Sequence, residues 1–219
     1  MRDLEIAFLA KITASMTHEI ANSLAIILES AGLLSDILNL SQESDFPHRE
    51  KFQRILRNIN DQVKRGVDIS ERLNQFAHSM DEPVAEVNIP ELLDRVVLLL
   101  RRLVRRRGIE LAAAAHDQDL VIRSDPFRLQ LVLASVIEQL TEVLTEGSGI
   151  ILQAQGTPQE VTILVEAQGV QKVGLAERMT PLLATLQEVL EALPARLAVA
   201  APPAAPGVVM TVSAAAPAC

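Results

Sequence analysis

Residues 9–38 read LAKITASMTHEIANSLAIILESAGLLSDIL, and their apolar positions return every third or fourth residue: Leu9, Ile12, Met16, Ile20, Leu24, Ile27, Ala31, Leu34 and Leu38. That spacing is the buried seam of a long amphipathic helix. SQESDFPH (41–48) breaks the pattern, and a second run takes it up at Phe52, Ile55, Ile59, Val63, Val67, Ser70, Leu73, Ala77 and Met80. Two helices of about 30 residues, roughly 45 Å each at 1.5 Å per residue, predict an antiparallel hairpin. One such hairpin cannot cover both of its apolar stripes. Pairing two hairpins buries them, so the sequence predicts a homodimer closed through a four-helix bundle.

Beyond Met80 the period changes. DEPVAEVNIP (81–90) carries two prolines and no helical repeat, which reads as a hinge followed by a short strand. Element types then alternate: a helix from PELLDRVVLLLRRLVRRRG (90–108), strand-like IELAAAA (109–115) and LVIRS (120–124), and a helix from DPFRLQLVLASVIEQLTEVL (125–144). Strands GIILQAQ (149–155) and EVTILVEA (160–167), a last helix PLLATLQEVLEAL (181–193) and strands RLAVA (196–200) and VVMTVSA (208–214) complete the chain. APPAAPG (201–207) reads as the loop of a final hairpin. The expected fold is α+β, with helices on one face of a mixed or antiparallel sheet. The expected organisation is a helical hairpin over 1–80, a linker over 81–88 and an α/β sandwich domain over 89–219.

Composition narrows the function. A chain of 219 residues with 49% hydrophobic content can build one or two true cores. Its single cysteine, Cys219, excludes a disulfide or a thiolate metal site within one chain. A formal charge of -8 and the absence of Trp and Tyr argue against nucleic acid as a partner. The chain has 16 arginines to 4 lysines, so Arg101, Arg102, Arg105 and Arg106 read as the solvated face of an amphipathic helix. No run approaches about 18 consecutive apolar residues, and the N-terminus lacks a signal-peptide pattern; the expectation is a cytoplasmic protein without a membrane partner.

His18 lies two residues from both Met16 and Ile20, about 200° around the helix from the seam, and is expected to face water. On its side stand Ala14, Ala21, Asn22 and Ala25, small residues three, four or seven positions away. Glu19 is placed to orient the imidazole or accept its proton. On spacing alone, an exposed histidine with no task fits as well. Two chemistries fail: a zinc-protease helix needs a second histidine where Asn22 stands, and no serine or cysteine sits in a glycine-flanked elbow. His48, His78 and His116 receive no role.

MTHEIANSLAII (16–27) closely resembles the phospho-acceptor box of bacterial sensor histidine kinases, of the form H-E-[IL]-x-N-P-L, with Ser23 in place of the proline. The likeness extends down the chain. The hairpin resembles the dimerisation and histidine-phosphotransfer domain, and VNIPELLDRVVLLLRRLVRRRGIEL (87–111) with VIRSDPFRLQLVLASVIEQL (121–140) is similar to the start of the ATP-binding domain. The resemblance implies that His18 carries the phosphoryl group, Glu19 is its acid/base partner and Asn22 positions water during phosphatase action. It also implies that Ala14, Ser15, Ala21 and Ala25 form the face on which a receiver domain docks.

The departures from the pattern fall on the nucleotide site. Ser135 and Gln139 stand where active kinases carry asparagines for magnesium and nucleotide. Ala167 replaces the aspartate that binds the adenine amino group, with Gly169 retained. VQKVGLAERMTP (170–181) leaves no room for a lid or a glycine-rich phosphate turn before the last helix. The expectation is therefore a histidine phosphotransferase of a two-component phosphorelay. It carries phosphoryl on His18 between receiver-domain aspartates, without ATP-dependent autokinase activity and without a cofactor of its own, magnesium being supplied in the partner receiver. An upstream hybrid histidine kinase is a further expected partner. The alternatives are a response-regulator phosphatase, a kinase with a divergent nucleotide site, and a non-catalytic dimerisation scaffold.

Overall fold

The two apolar runs fold as helices α1 (Arg2–Leu40) and α2 (Arg49–His78) in the computed structural model, which describes residues 2–40, 49–78, 84–115, 120–169, 174–200 and 206–214. The expected break at 41–48, hinge residues 81–83, loop residues 201–205, His116 and Cys219 lie outside the described residues. The chain divides into two compact units, Ala10–Gln75 and Met1–Leu9 with Phe76–Cys219.

In the first unit the helices run antiparallel. Asn58 Nδ2 donates to Ser30 Oγ at 3.4 Å, while Leu34, Ile37 and Ile55 cluster with Phe52 and Ile59 nearer the connection. The seam on α1 steps through Met16, Ile20, Ser23, Ile27, Ser30, Leu34 and Ile37, alternating four and three residues. On α2 the same alternation runs through Phe52, Ile55, Ile59, Gln62, Gly66 and Ile69. This is the 3.5-residue repeat that keeps one stripe facing a partner helix.

The observed seam departs from the expected one. Leu24 (59% exposed), Ala31, Val63, Val67 (51% exposed) and Ser70 are on the surface, and the buried α1 positions are Ser23 and Ser30 instead. The period holds its phase even where it meets a serine; reading for apolar residues slid one position to the neighbouring Leu24 and Ala31. Leu24, Leu28 and Ala31 on α1, and Leu56, Val63 and Val67 on α2, then form second, exposed stripes.

The second unit starts with β1 (Ala85–Asn88), inside the expected linker, and continues α3 (Ile89–Arg105), β2 (Glu110–Ala113), β3 (Val121–Ser124), α4 (Pro126–Val143), β4 (Gly149–Gly156), β5 (Glu160–Gln168), α5 (Leu175–Ala192), β6 (Ala195–Val199) and β7 (Gly207–Ser213). Local chemistry sets two helix starts. Asn88 accepts the Glu91 amide at 3.2 Å with Pro90 in the first turn of α3, and Asp125 accepts the Arg128 amide at 2.9 Å with Pro126 opening α4.

β1 and β3 pair antiparallel as a small ribbon. The main sheet runs β2-β4-β5-β7-β6, parallel between β2 and β4 and antiparallel elsewhere. Alternate residues Val161, Ile163, Val165 and Ala167 of β5, with Ile150, Leu152, Val208, Met210 and Val212 beside them, are buried under α3, α4 and α5. This is the two-layer α+β arrangement expected. α5, however, opens at Leu175 with Pro181 inside it. Leu175 and Met179 are buried in phase with Leu186 and Val189, and that burial outweighs the proline that had marked the start.

Phe8, at the start of α1, also belongs to this unit. Its ring meets Phe76 at 5.5 Å, edge to face, and Phe127 at 5.8 Å, while Phe76 and Phe127 are 5.8 Å apart. Beside the three rings, Arg128 Nε donates to Glu5 Oε1 at 3.3 Å.

Candidate functional site

The helical phase of α1 places each residue of the acceptor box. Met16 is buried and Ile20 half-buried on the seam, which leaves His18 exposed on the opposite side. Asn22, one turn further on, is exposed on the same side, as are Ala14, Ala21 and Ala25; Glu19 and Ser15 are half-buried at its margin. Thr17 folds its hydroxyl back, donating to the Thr13 carbonyl at 2.7 Å and approaching that of Ala14 at 3.2 Å. The imidazole thus stands on a low surface of methyl groups and one carboxamide, where a second protein's backbone can come close.

Ser23 is 3% exposed, so the residue that stands for the motif's proline is a seam residue. It retains the backbone N–H that proline lacks, and α1 passes through it unbroken. Reading for apolar spacing missed both this buried serine and the exposed Leu24 and Leu28 stripe. The strict four-three alternation through Ser23 and Ser30 was the available signal.

The residues matching a nucleotide site lie in the sandwich unit. Ser135 and Gln139 stand one turn apart on α4, both half-buried, and the Ser135 hydroxyl donates to the Leu131 carbonyl at 2.8 Å. Ala167, 3% exposed, continues the buried row of β5 and brings a methyl group where an adenine-binding carboxylate is needed. The neighbouring carboxylate, Glu166, projects to the other face of the sheet, where the Gln168 carboxamide donates to it at 3.1 Å. Gly169 has φ +118°, and a Cβ there would lie 2.5 Å from Ser148 Oγ, so its retention is explained by packing. This set does not fit ATP with magnesium: it offers neither an adenine acceptor at Ala167 nor a carboxamide at Ser135. Among the described residues no group of three or more His, Cys, Asp or Glu could hold a metal ion.

PilS, a sensor protein kinase of Pseudomonas aeruginosa, is 30% identical to this chain over 138 residues, 63% of the chain and 24% of PilS. The catalytic domain of histidine kinase ThkA superposes with a TM-score of 0.50 at 17% identity, covering 60% of this chain and 96% of that domain.

Over 63% of its length the chain is thus similar in sequence to a sensor protein kinase.

A histidine kinase from Burkholderia phymatum superposes with a TM-score of 0.50 at 18% identity over 95% of this chain and 98% of its own. These superpositions establish the ATPase-like fold of the sandwich unit alone. No family model matches the sequence. The chain spans about a quarter of the length of PilS, 24%.

Proposed function

We propose that this chain is a histidine phosphotransferase of a two-component phosphorelay, with His18 as the carrier. A neutral ring nitrogen of His18 attacks the phosphorus of an aspartyl phosphate in a partner's receiver domain. The N–P bond forms as the acyl O–P bond breaks, and the aspartate leaves as a carboxylate; the reverse step loads the next receiver. Glu19 orients the ring or takes its proton, and the small residues Ala14, Ser15, Ala21 and Ala25 admit the receiver to in-line distance. Magnesium belongs to the receiver, and the chain brings no cofactor of its own.

The observation that carries this reading is a contrast. The acceptor face is open and intact around His18, while the positions matching the nucleotide site hold a buried methyl group at Ala167 and a hydroxyl bonded to its own helix at Ser135. The deciding experiment incubates the chain with phosphorylated receiver domains and follows the label. Acid-labile, base-stable label on wild type that is absent from His18→Ala supports the relay; no label on wild type overturns it.

Two further readings each have an observation in their favour. Asn22, exposed beside His18, suits a response-regulator phosphatase that orients water. The kinase relatives favour a kinase with a divergent nucleotide site.

The exposed stripes of Leu24 and Leu28 on α1 and of Val63 and Val67 on α2 support a homodimer, in which a second hairpin covers them. Residues Leu4–Ile37 are long and apolar enough to cross a membrane by length and composition. The two bundle stripes account for that character, and Lys11, His18, Glu19 and Glu29 interrupt it. We therefore read α1 as a bundle helix of a cytoplasmic protein.

A further inference from the structure

Leu98 is 42% exposed, and among the described residues it is the one large apolar side chain left on the surface of α3, α4 or α5. It stands in the middle of an exposed stripe of α3 that runs Glu91, Asp94, Leu98, Arg101, Arg105, in steps of three and four. Both acids precede the leucine and both arginines follow it. None of the four charged groups has an ion-pair partner among the described residues. Arg107, just past the helix, does find one, with Nη2 standing 2.7 Å from Glu142 Oε1.

A solvated helix face gains from mixing its charges, best with an acid four residues before a base. The stripe on α3 separates them instead. Glu91 and Asp94 are three residues apart and Arg101 and Arg105 four, so like charges are neighbours and repel. The helix dipole accounts for Glu91 in the first turn and Arg105 in the last, because its field fades within a turn of each end. Asp94 and Arg101 lie in the interior, where that field gives no reason for their signs.

We propose that this face of α3 is a contact surface for a second copy of the chain, docked antiparallel about Leu98. A two-fold axis at that point sets Leu98 against Leu98 of the second copy. Glu91 and Arg105 are each seven residues from Leu98, about 10.5 Å along the helix, so Glu91 stands level with the other copy's Arg105. Asp94, four residues before, and the other copy's Arg101, three after, fall within about 1.5 Å of one height. Symmetry repeats both pairs, giving opposite charges on each side of an apolar centre. Arg95 and Arg102 are half-buried on the flank away from Asp94 and Arg101. The charge order decides the occupant: a uniformly acidic or basic partner satisfies one half of the stripe and is repelled by the other. The contact uses no residue of α1 or α2, so it is a second mode of self-association beside the bundle stripes. One helix pair is a small contact, and the association it gives is weak and concentration-dependent.

Sedimentation of the full chain from micromolar to millimolar concentration tests this, at about 0.15 M salt, where the screening length is about 8 Å. Glu91→Arg with Asp94→Arg makes the stripe wholly basic, and Arg101→Glu with Arg105→Glu makes it wholly acidic. The wild-type mass should rise with concentration, and the rise should persist when Leu24→Glu and Leu28→Glu remove the bundle stripe of α1. Each reversed variant should associate at least about tenfold more weakly, and an equal mixture of the two should associate again. Leu98→Lys should weaken association without touching any pair.

A wild-type mass that does not rise overturns the proposal, as does a rise that vanishes with Leu24→Glu and Leu28→Glu. A mixture of reversed variants that stays apart, while each keeps the wild-type circular dichroism, overturns it too. Should the reversed variants misfold, Leu98→Lys decides: association within about twofold of wild type rules the surface out.

Discussion

Asp125 holds Arg128 at two points: Oδ1 accepts the Arg128 backbone amide at 2.9 Å, and Oδ2 stands 3.4 Å from the guanidinium Nη1. The first contact caps α4, and the second extends an ion chain to Glu5. Burial nevertheless dominates the carboxyl. It raises the Asp125 pKa above the ordinary 3.8, and the bonds from Arg128 only partly offset it.

The sign of the resulting pH dependence follows. An acid with a raised pKa binds its proton more tightly when folded, so its contribution to stability is complete below the unfolded value and is lost as pH rises through the folded one. Asp125→Asn keeps the cap and removes the charge. At neutral pH the variant should be within about 1 kcal/mol of wild type, and wild type should gain on it as pH falls toward 3.8. Melting temperatures of both proteins across that range check it; wild type losing ground on acidification would show that the Arg128 pairing wins instead.

Gly66 occupies a half-buried seam position in the interior of α2, and a Cβ built on it meets nothing within 4 Å. Gly66→Ala should therefore stabilise the hairpin by about 0.5–1 kcal/mol, the helix-propensity difference without a steric cost. Chemical denaturation reads this directly. A loss of stability would mean that the seam closes more tightly at this layer than the structure shows.

His18 faces solvent, so His18→Ala should abolish labelling while changing stability by no more than about 0.5 kcal/mol. Asn22→Ala separates relay from phosphatase. In a relay, labelling persists without Asn22. Should His18→Ala still drain phosphoryl from the receiver at the wild-type rate while Asn22→Ala cannot, the chain is a phosphatase.

Leu28 is 76% exposed and Leu24 59%. Replacing both with glutamate should leave the monomer's own seam untouched and shift the protein from dimer to monomer at micromolar concentration, as measured by light scattering. A wild-type protein that is already monomeric under those conditions defeats the dimer.

Calorimetry with ATP and magnesium should show no binding in the micromolar range. A micromolar dissociation constant would promote the divergent-kinase reading and demand an adenine contact other than Ala167.

What was legible in the sequence follows from the range of the signals. Helix caps are local: Asn88 and Asp125, each with a following proline, mark the starts of α3 and α4 within a residue or two. The row of β5 that ends in Ala167 could be read by alternation, and with it the absence of a carboxylate on the buried face. Seam phase was harder, because Ser23 and Leu24 compete for one layer, and only the regularity of many turns favours the polar one. The α5 start was hidden by Pro181, which reads locally as a boundary and is overruled by the burial of Met179. The meeting of Phe8 with Phe127 has no local signature at all; it arises from tertiary packing between residues far apart in the chain.

The 5.5 Å contact between Phe8 and Phe76 also has a topological meaning. The two rings stand in the sandwich unit close to the ends of the intervening stretch Ala10–Gln75, so residues from both ends of that stretch's flanks pack within one unit. Removing seven residues from each helix would shorten the hairpin by about 10 Å yet leave its own seam in phase. A truncation that begins at residue 80, by contrast, would strip Phe127 of both of its aromatic partners and leave an apolar wound on the excised fragment.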